Sequence, residues 1–291
     1  MWSKGGICNM AIRKKRKTRA SRHWKLHLLS GFWGILVVGL LIAVIVKRHC
    51  LKQEGIAINE RLLKEICAPK LPAGIPDEEV DFIGFTVHFN SAHHVPNYVV
   101  YTLTRDHIGG KATYNGTFYN DDSVDGCAMP LEYAKSGYQR GHMAPAADMK
   151  WNAVALEGSY AMLNICPQRR QLNTGSWRKL EEKVREWGQR DSMLVVITGP
   201  VLTKQMSTIG NANKIAVPKH FFKVVFAPHA QPTRAIAFVM PNENADKHYA
   251  QYAVSIDEVE RLTGIDFFHT LPEAEQSRLE STSNTAPWFH F

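Results

Sequence analysis

Residues 172–187 read LNTGSWRKLEEKVREW, from Leu172 to Trp187. Trp177, Leu180, Val184 and Trp187 recur at three- or four-residue spacing, which predicts an amphipathic helix over residues 176–190 with Ser176 as its cap. Glu181 and Arg185 then share one helix face, a turn below Asn173. Upstream, residues 139–151 read QRGHMAPAADMKW and residues 163–168 read LNICPQ. These residue types suit attack on a phosphodiester, which needs a base for water, a cation for the charge on phosphorus and donors that hold the substrate in line. His142 qualifies as the base because a neutral imidazole exists near pH 7. Magnesium keeps several waters, so one carboxamide oxygen from Asn173 or Asn164 is enough protein anchoring. Arg140 and Arg185 carry planar forks that match phosphate oxygens.

Outward from this stretch, runs rich in Val, Phe, Tyr and Thr at 82–89, 98–104, 193–198, 220–227 and 234–240 read as strands, each bounded by Gly, Pro or Asn. A further helical segment is expected over 151–163. The class is α+β, a mostly antiparallel central sheet flanked by helices. His93 and His94 read as a surface turn, and Asp121, Asp122 and Asp125 as a loop.

The chain has 291 residues and a formal net charge of +8. That charge is not evenly spread. Nine of the 35 basic residues lie in residues 1–27, which hold no acid, so the remainder sets 26 basic against 27 acidic residues. Whole-chain basicity therefore says nothing about a polyanionic partner. A local excess survives: residues 135–190 carry ten Lys or Arg against five acids, the electrostatic footprint that a polyanionic substrate requires.

Residues 28–46 hold no charge and, as a helix rising ~1.5 Å per residue, would span close to a bilayer's hydrocarbon core. The organisation expected is a basic cytoplasmic head at 1–27, a transmembrane helix at 28–46, a juxtamembrane stalk and linker at 47–79, a catalytic domain at 80–274 and a C-terminal tail at 275–291. The positive flank places the head in the cytoplasm and the domain on the exported, periplasmic side of an inner membrane. The alternative is the mitochondrial inner membrane, with the domain facing the intermembrane space, because the head is arginine-rich and acid-free. Ile58, Leu62, Leu63 and Ile66 predict a short helix in the stalk, and the tail reads as polar and loosely ordered apart from Trp288 and Phe289. Of five cysteines, Cys67, Cys127 and Cys166 fall in the exported part and could supply one disulfide.

QRGHMAPAADMKW, LNICPQ and LNTGSWRKLEEKVREW together resemble the DNA/RNA non-specific endonuclease family, the ββα-metal nucleases that include secreted bacterial nucleases and mitochondrial endonuclease G. Further similarity lies in YVVYTLT, VVITGPVL, VPKHFFKVVF, AFVMPN and VSIDEVERLTGIDFF, so it covers roughly residues 80–270. The resemblance implies a ββα-metal active-site motif, with His142 as general base and Asn173 as direct ligand of Mg2+, for which Mn2+ or another divalent cation could substitute. It implies that Arg140 and Asn164 support the site and the phosphate. Glu181 would hold metal-bound water and Arg185 would stabilise the charged transition state or leaving group. Two positions depart from the pattern: Gln139 stands where many relatives have Asp, and no arginine stands about thirty residues upstream, where Thr113 and Tyr114 are found. The expected function is a membrane-anchored, magnesium-dependent endonuclease that hydrolyses DNA and RNA. Its rivals are a catalytically silent nucleic-acid-binding protein and a phosphodiesterase acting on another phosphate ester. A homodimer stays open.

Overall fold

The computed structural model describes residues 60–66, 68–243 and 247–289. The basic head, the apolar run 28–46 and Cys67 lie outside the described residues. Among the described residues no helix is long and apolar enough to cross a membrane.

In chain order, the elements begin with helix α1 (Glu60–Ile66), the stalk helix expected from the sequence, and strands β1 (Glu78–Phe82), β2 (Phe85–Asn90), β3 (Val95–Thr104) and β4 (Gln139–His142). Helix α2 (Ala153–Gly158), strand β5 (Ile165–Gln168) and helix α3 (Trp177–Asp191) follow. Then come β6 (Met193–Pro200), β7 (Ser207–Ile209), β8 (Ile215–Val217), β9 (His220–Ala227), β10 (Arg234–Pro241) and β11 (Ala253–Val254). Helices α4 (Ile256–Thr263), α5 (Glu273–Glu280) and α6 (Ala286–Phe289) complete the order.

A seven-stranded sheet, ordered β1-β2-β3-β6-β9-β10-β11, is antiparallel at every pairing, as the α+β reading expects. Its central strands, β3, β6, β9 and β10, are apolar at odd and even positions alike because both faces are covered. Tyr101 and Leu103 of β3, Leu194 and Val196 of β6, and Phe221 and Val225 of β9 belong to one core with Trp177, Leu180, Val184 and Trp187 of α3. Their alternate neighbours, including Tyr98, Val195, Ile197, Phe222 and Val224, join Ile66, Ile256, Val259 and Leu279 in a second core. Alternation of side chains along each strand produces this division. Each fully buried large apolar side chain contributes on the order of 1.5–3 kcal/mol.

Two expected elements differ in extent. Residues 82–89 form a hairpin rather than one strand: Phe82 pairs with Phe85, and Gly84 takes φ +94°, a conformation in which a Cβ would be strained. The helix expected over 151–163 is confined to α2. Asn152 starts it by accepting from the backbone N–H of Val154 and Ala155, and beyond Gly158 the chain turns in to bury Asn164. The β2–β3 connection is a turn, with His94 at φ +57° and its Nδ1 donating to Gly126 O at 2.8 Å.

The tail is more ordered than its composition suggests. Residues 273–280 are helical, and Trp288 is fully buried with its ring centroid 4.8 Å from that of Trp187. Trp187 Nε1 donates to Trp288 O at 2.8 Å, so the end of the chain closes over α3. Cys127 and Cys166 are both free thiols.

Candidate active site

Strands β4 and β5 form a separate antiparallel pair, with Gln139 opposite Gln168 and His142 opposite Ile165. Together with α3 they make a ββα unit on the core that faces α3. The pair is close because Gly141 has no side chain: a Cβ there would lie 2.1 Å from Gln168 Oε1. That contact accounts for the glycine in Arg-Gly-His.

His142 projects between two rings, 5.4 Å from Phe118 and 5.0 Å from Tyr160 between centroids, with Tyr160 edge-on. The imidazole keeps partial exposure, but its Nε2 is enclosed without a protein partner. Burial pushes its pKa down to about 4, so the ring is neutral at pH 7. Arg140 stacks over Phe118 at 5.0 Å, and its Nε and Nη2 donate to Pro130 O at 3.3 and 3.1 Å.

Asn173 sits in a wide π-type turn, Leu172–Ser176, kinked at Gly175. Ser176 does not cap α3 through its side chain as expected: its own backbone is helical and its hydroxyl donates to Lys247 O at 3.1 Å. Asn173 Nδ2 donates to Gln139 Oε1 at 2.9 Å, and no group among the described residues takes Asn173 Oδ1. Phe118, Tyr133, Tyr138, Gln139, Arg140 and Asn173 line a cavity of about 400 Å³. A free carboxamide oxygen on a roomy polar cavity fits a hard cation that retains most of its waters.

Asn164 lies elsewhere. It is fully buried, and its amide is consumed by backbone: Oδ1 accepts from Ala144 N at 2.8 Å, while Nδ2 donates to Ala144 O at 2.9 Å and Ser159 O at 2.8 Å. It holds the segment immediately after His142 and does not face the cavity.

Glu181 and Arg185 belong to a buried charge cluster under α3. Arg185 Nη1 donates to Asp148 Oδ1 at 2.8 Å, and Tyr101 OH donates to Asp148 Oδ2 at 2.9 Å. No other guanidinium nitrogen of Arg185 has a hydrogen-bond partner among the described residues, which leaves part of the fork available. Lys223, fully buried on β9, donates from Nζ to Thr198 Oγ1 at 3.3 Å and lies 4.7 Å from the Trp177 ring. Burial raises the Glu181 pKa and lowers that of Lys223, and the two opposite charges moderate each other's shift. Burial also raises Asp148, against the opposing pull of Arg185 and the Tyr101 hydrogen bond.

Residues 64–274 match the family model described as DNA/RNA non-specific endonuclease. The chain belongs to the DNA/RNA non-specific endonuclease family. Among relatives of this family, it is 31% identical over 226 residues to a zebrafish (Danio rerio) protein named Nuclease EXOG, mitochondrial, covering 71% of this chain and 66% of that one. It is 30% identical over 232 residues to the Schizosaccharomyces pombe protein named Nuclease 1, mitochondrial, covering 72% and 71%. A solved structure of an EndoG/EndoGI complex superposes with a TM-score of 0.67 at 25% identity, over 78% of this chain and 98% of that one. The chain thus spans about two thirds of the length of the curated relatives it matches.

Within this non-specific endonuclease domain, the structure brings His142, Arg140 and Asn173 to one cavity region and sets Glu181 and Arg185 behind it. Tyr101, Asp148 and Lys223 complete that second group and were not singled out from the sequence. The one local signal was Lys223, a lysine within the apolar run FFKVVF. Strand alternation sends it inward with Phe221 and Val225.

Proposed function

We propose that this chain is a divalent-metal-dependent endonuclease that hydrolyses phosphodiester bonds of DNA and RNA, with His142 as general base. The observation that carries the reading is an imidazole kept neutral by burial beside a cavity lined by Arg140 and Asn173. His142 takes the proton from the attacking water, for which a neutral ring at pH 7 is the required state. Asn173 would hold a magnesium ion directly and Glu181 through water; such an ion supplies charge neutralisation at the phosphate and the leaving oxygen. Arg140 and the unpaired part of the Arg185 fork supply the further positive charge. Asn164 acts on the segment next to His142 and positions it. Phosphate-directed contacts of this kind carry no sequence information, which supports cleavage with little sequence preference.

The names of the relatives support a mitochondrial location over the bacterial inner membrane. The arginine-rich head and the apolar run 28–46 suit a mitochondrial presequence and anchor, with the domain facing the intermembrane space.

The full chain incubated with supercoiled plasmid or RNA should nick and degrade both with Mg2+ and neither with EDTA. His142→Ala should lose nearly all of this activity. Equal nicking by wild type and variant sinks the mechanism, and salt-sensitive binding without product favours a silent nucleic-acid-binding protein. Alkaline carbonate extraction of mitochondria tests the anchor, since a tethered chain stays in the pellet.

A further inference from the structure

We propose that Gln139 is a positioning residue that orients the Asn173 carboxamide and thereby sets the affinity of the site for its divalent cation. The inference rests on the metal-dependent reading above. Gln139 opens β4 and Asn173 lies on the turn before α3, 34 positions apart. The 2.9 Å bond from Asn173 Nδ2 to Gln139 Oε1 is the only side-chain hydrogen bond either residue makes among the described residues. Both line the same cavity.

The two ends of a carboxamide are similar in shape and opposite in function. A hard cation accepts the oxygen and rejects the NH2. With Nδ2 committed to Gln139, Oδ1 is the end left for the cavity. Without that bond, no other side-chain hydrogen bond among the described residues distinguishes the two orientations of the Asn173 amide, and a cation would have to select the productive one from a mixture.

Gln139 also makes this clamp reversible. An ionised carboxylate at this position could only accept, so it would enforce one orientation of Asn173. A glutamine can pair in either sense. In the reverse sense its Nε2 would donate to Asn173 Oδ1, which covers the ligand atom at little cost in geometry. Apparent affinity falls in proportion to the fraction of molecules in the competent orientation. Gln139 therefore holds the site at a weaker cation affinity than an acceptor-only residue would, and at a stronger one than an apolar residue would.

The test measures Mn2+ binding to the full chain without nucleic acid, by the electron paramagnetic resonance signal of free Mn2+. Asn173→Ala identifies which part of the binding belongs to this site. Gln139→Met, close in length but unable to pair, is expected to weaken that binding by about twofold, because an even mixture of two amide orientations leaves about half of the molecules competent. In an Asn173→Asp background both ends of the ligand are oxygen, so Gln139→Met should leave the affinity unchanged. Thermal unfolding of each variant checks that the fold persists.

Unchanged Mn2+ affinity in Gln139→Met overturns the proposal, as does a loss of the same size in the Asn173→Asp background. Native protein that binds no Mn2+ at Asn173 overturns instead the metal-dependent reading on which the proposal stands.

Discussion

Arg185 reaches Asp148 across 2.8 Å, and the carboxylate it reaches is wholly buried while the guanidinium stays partly exposed. The pair therefore ties α3 to the segment that follows His142, with Tyr101 as the third member. Asp148→Asn removes a buried charge from a group that also holds Lys223 and Glu181. The expected cost is about 3–5 kcal/mol in urea unfolding, the scale of a broken buried pair. A cost under about 1 kcal/mol would mean that Asp148 is a bystander.

Gly141→Ala should be disproportionately harmful for one added methyl. The new Cβ meets Gln168 Oε1 at 2.1 Å, and Gln168 is itself fully buried. Overpacking of this kind costs about 1–3 kcal/mol. Pairing a urea melt with Gly141→Ala/Gln168→Ala gives the check: truncating Gln168 should recover part of the loss, and no recovery would refute the clash.

His142 predicts an unusual acid limb. Its pKa is lowered from 6.5 to about 4 by burial, so the base form persists until the pH approaches 4. Single-turnover cleavage at saturating metal should fall through an apparent pKa near 4, and a limb centred at 6.5 would count against burial of the ring. The same shift has a stability consequence. A depressed folded pKa means that the unfolded state binds the proton more readily, so this contribution is whole above 6.5 and is lost as pH falls toward 4.

Glu280 predicts the opposite slope. Burial, then Glu260, Asp257 and Asp266, push its pKa up to about 8. Its folded form holds a proton that the unfolded chain releases near 4.5, so stability is full below that pH and declines as pH rises to about 8. Glu280→Gln should therefore raise Tm at pH 8.5 and leave it nearly unchanged at pH 4.5. A variant that melts lower at pH 8.5 would contradict this.

The legible parts of the molecule were those with local period or composition. Trp177, Leu180, Val184 and Trp187 announced α3 because their spacing is that of a helix face, and β6, β9 and β10 were dense in branched and aromatic residues. Arg140, His142 and Asn173 could be singled out because residue type and family resemblance coincided there. The buried cluster was illegible for a different reason. Asp148 meets Arg185 37 positions away and Tyr101 47 positions away, and no local pattern encodes such a pairing. The apolar pattern of β9 would have placed a hydrophobic residue at 223. Lys223 is tolerated there because the charges of Glu181 and Asp148, the Thr198 hydroxyl and the Trp177 ring offset its burial.

The Trp288 contact with Trp187 has a consequence for biosynthesis. Helix α3 obtains part of its covering from a residue 101 positions further along the chain. A nascent chain would hold His142 and Asn173 well before α3 is fully covered, so assembly of the site is expected to finish only once Trp288 has emerged. Cutting the chain before Ala286 should reproduce that unfinished state, seen as faster hydrogen exchange along α3, and unchanged exchange would refute it.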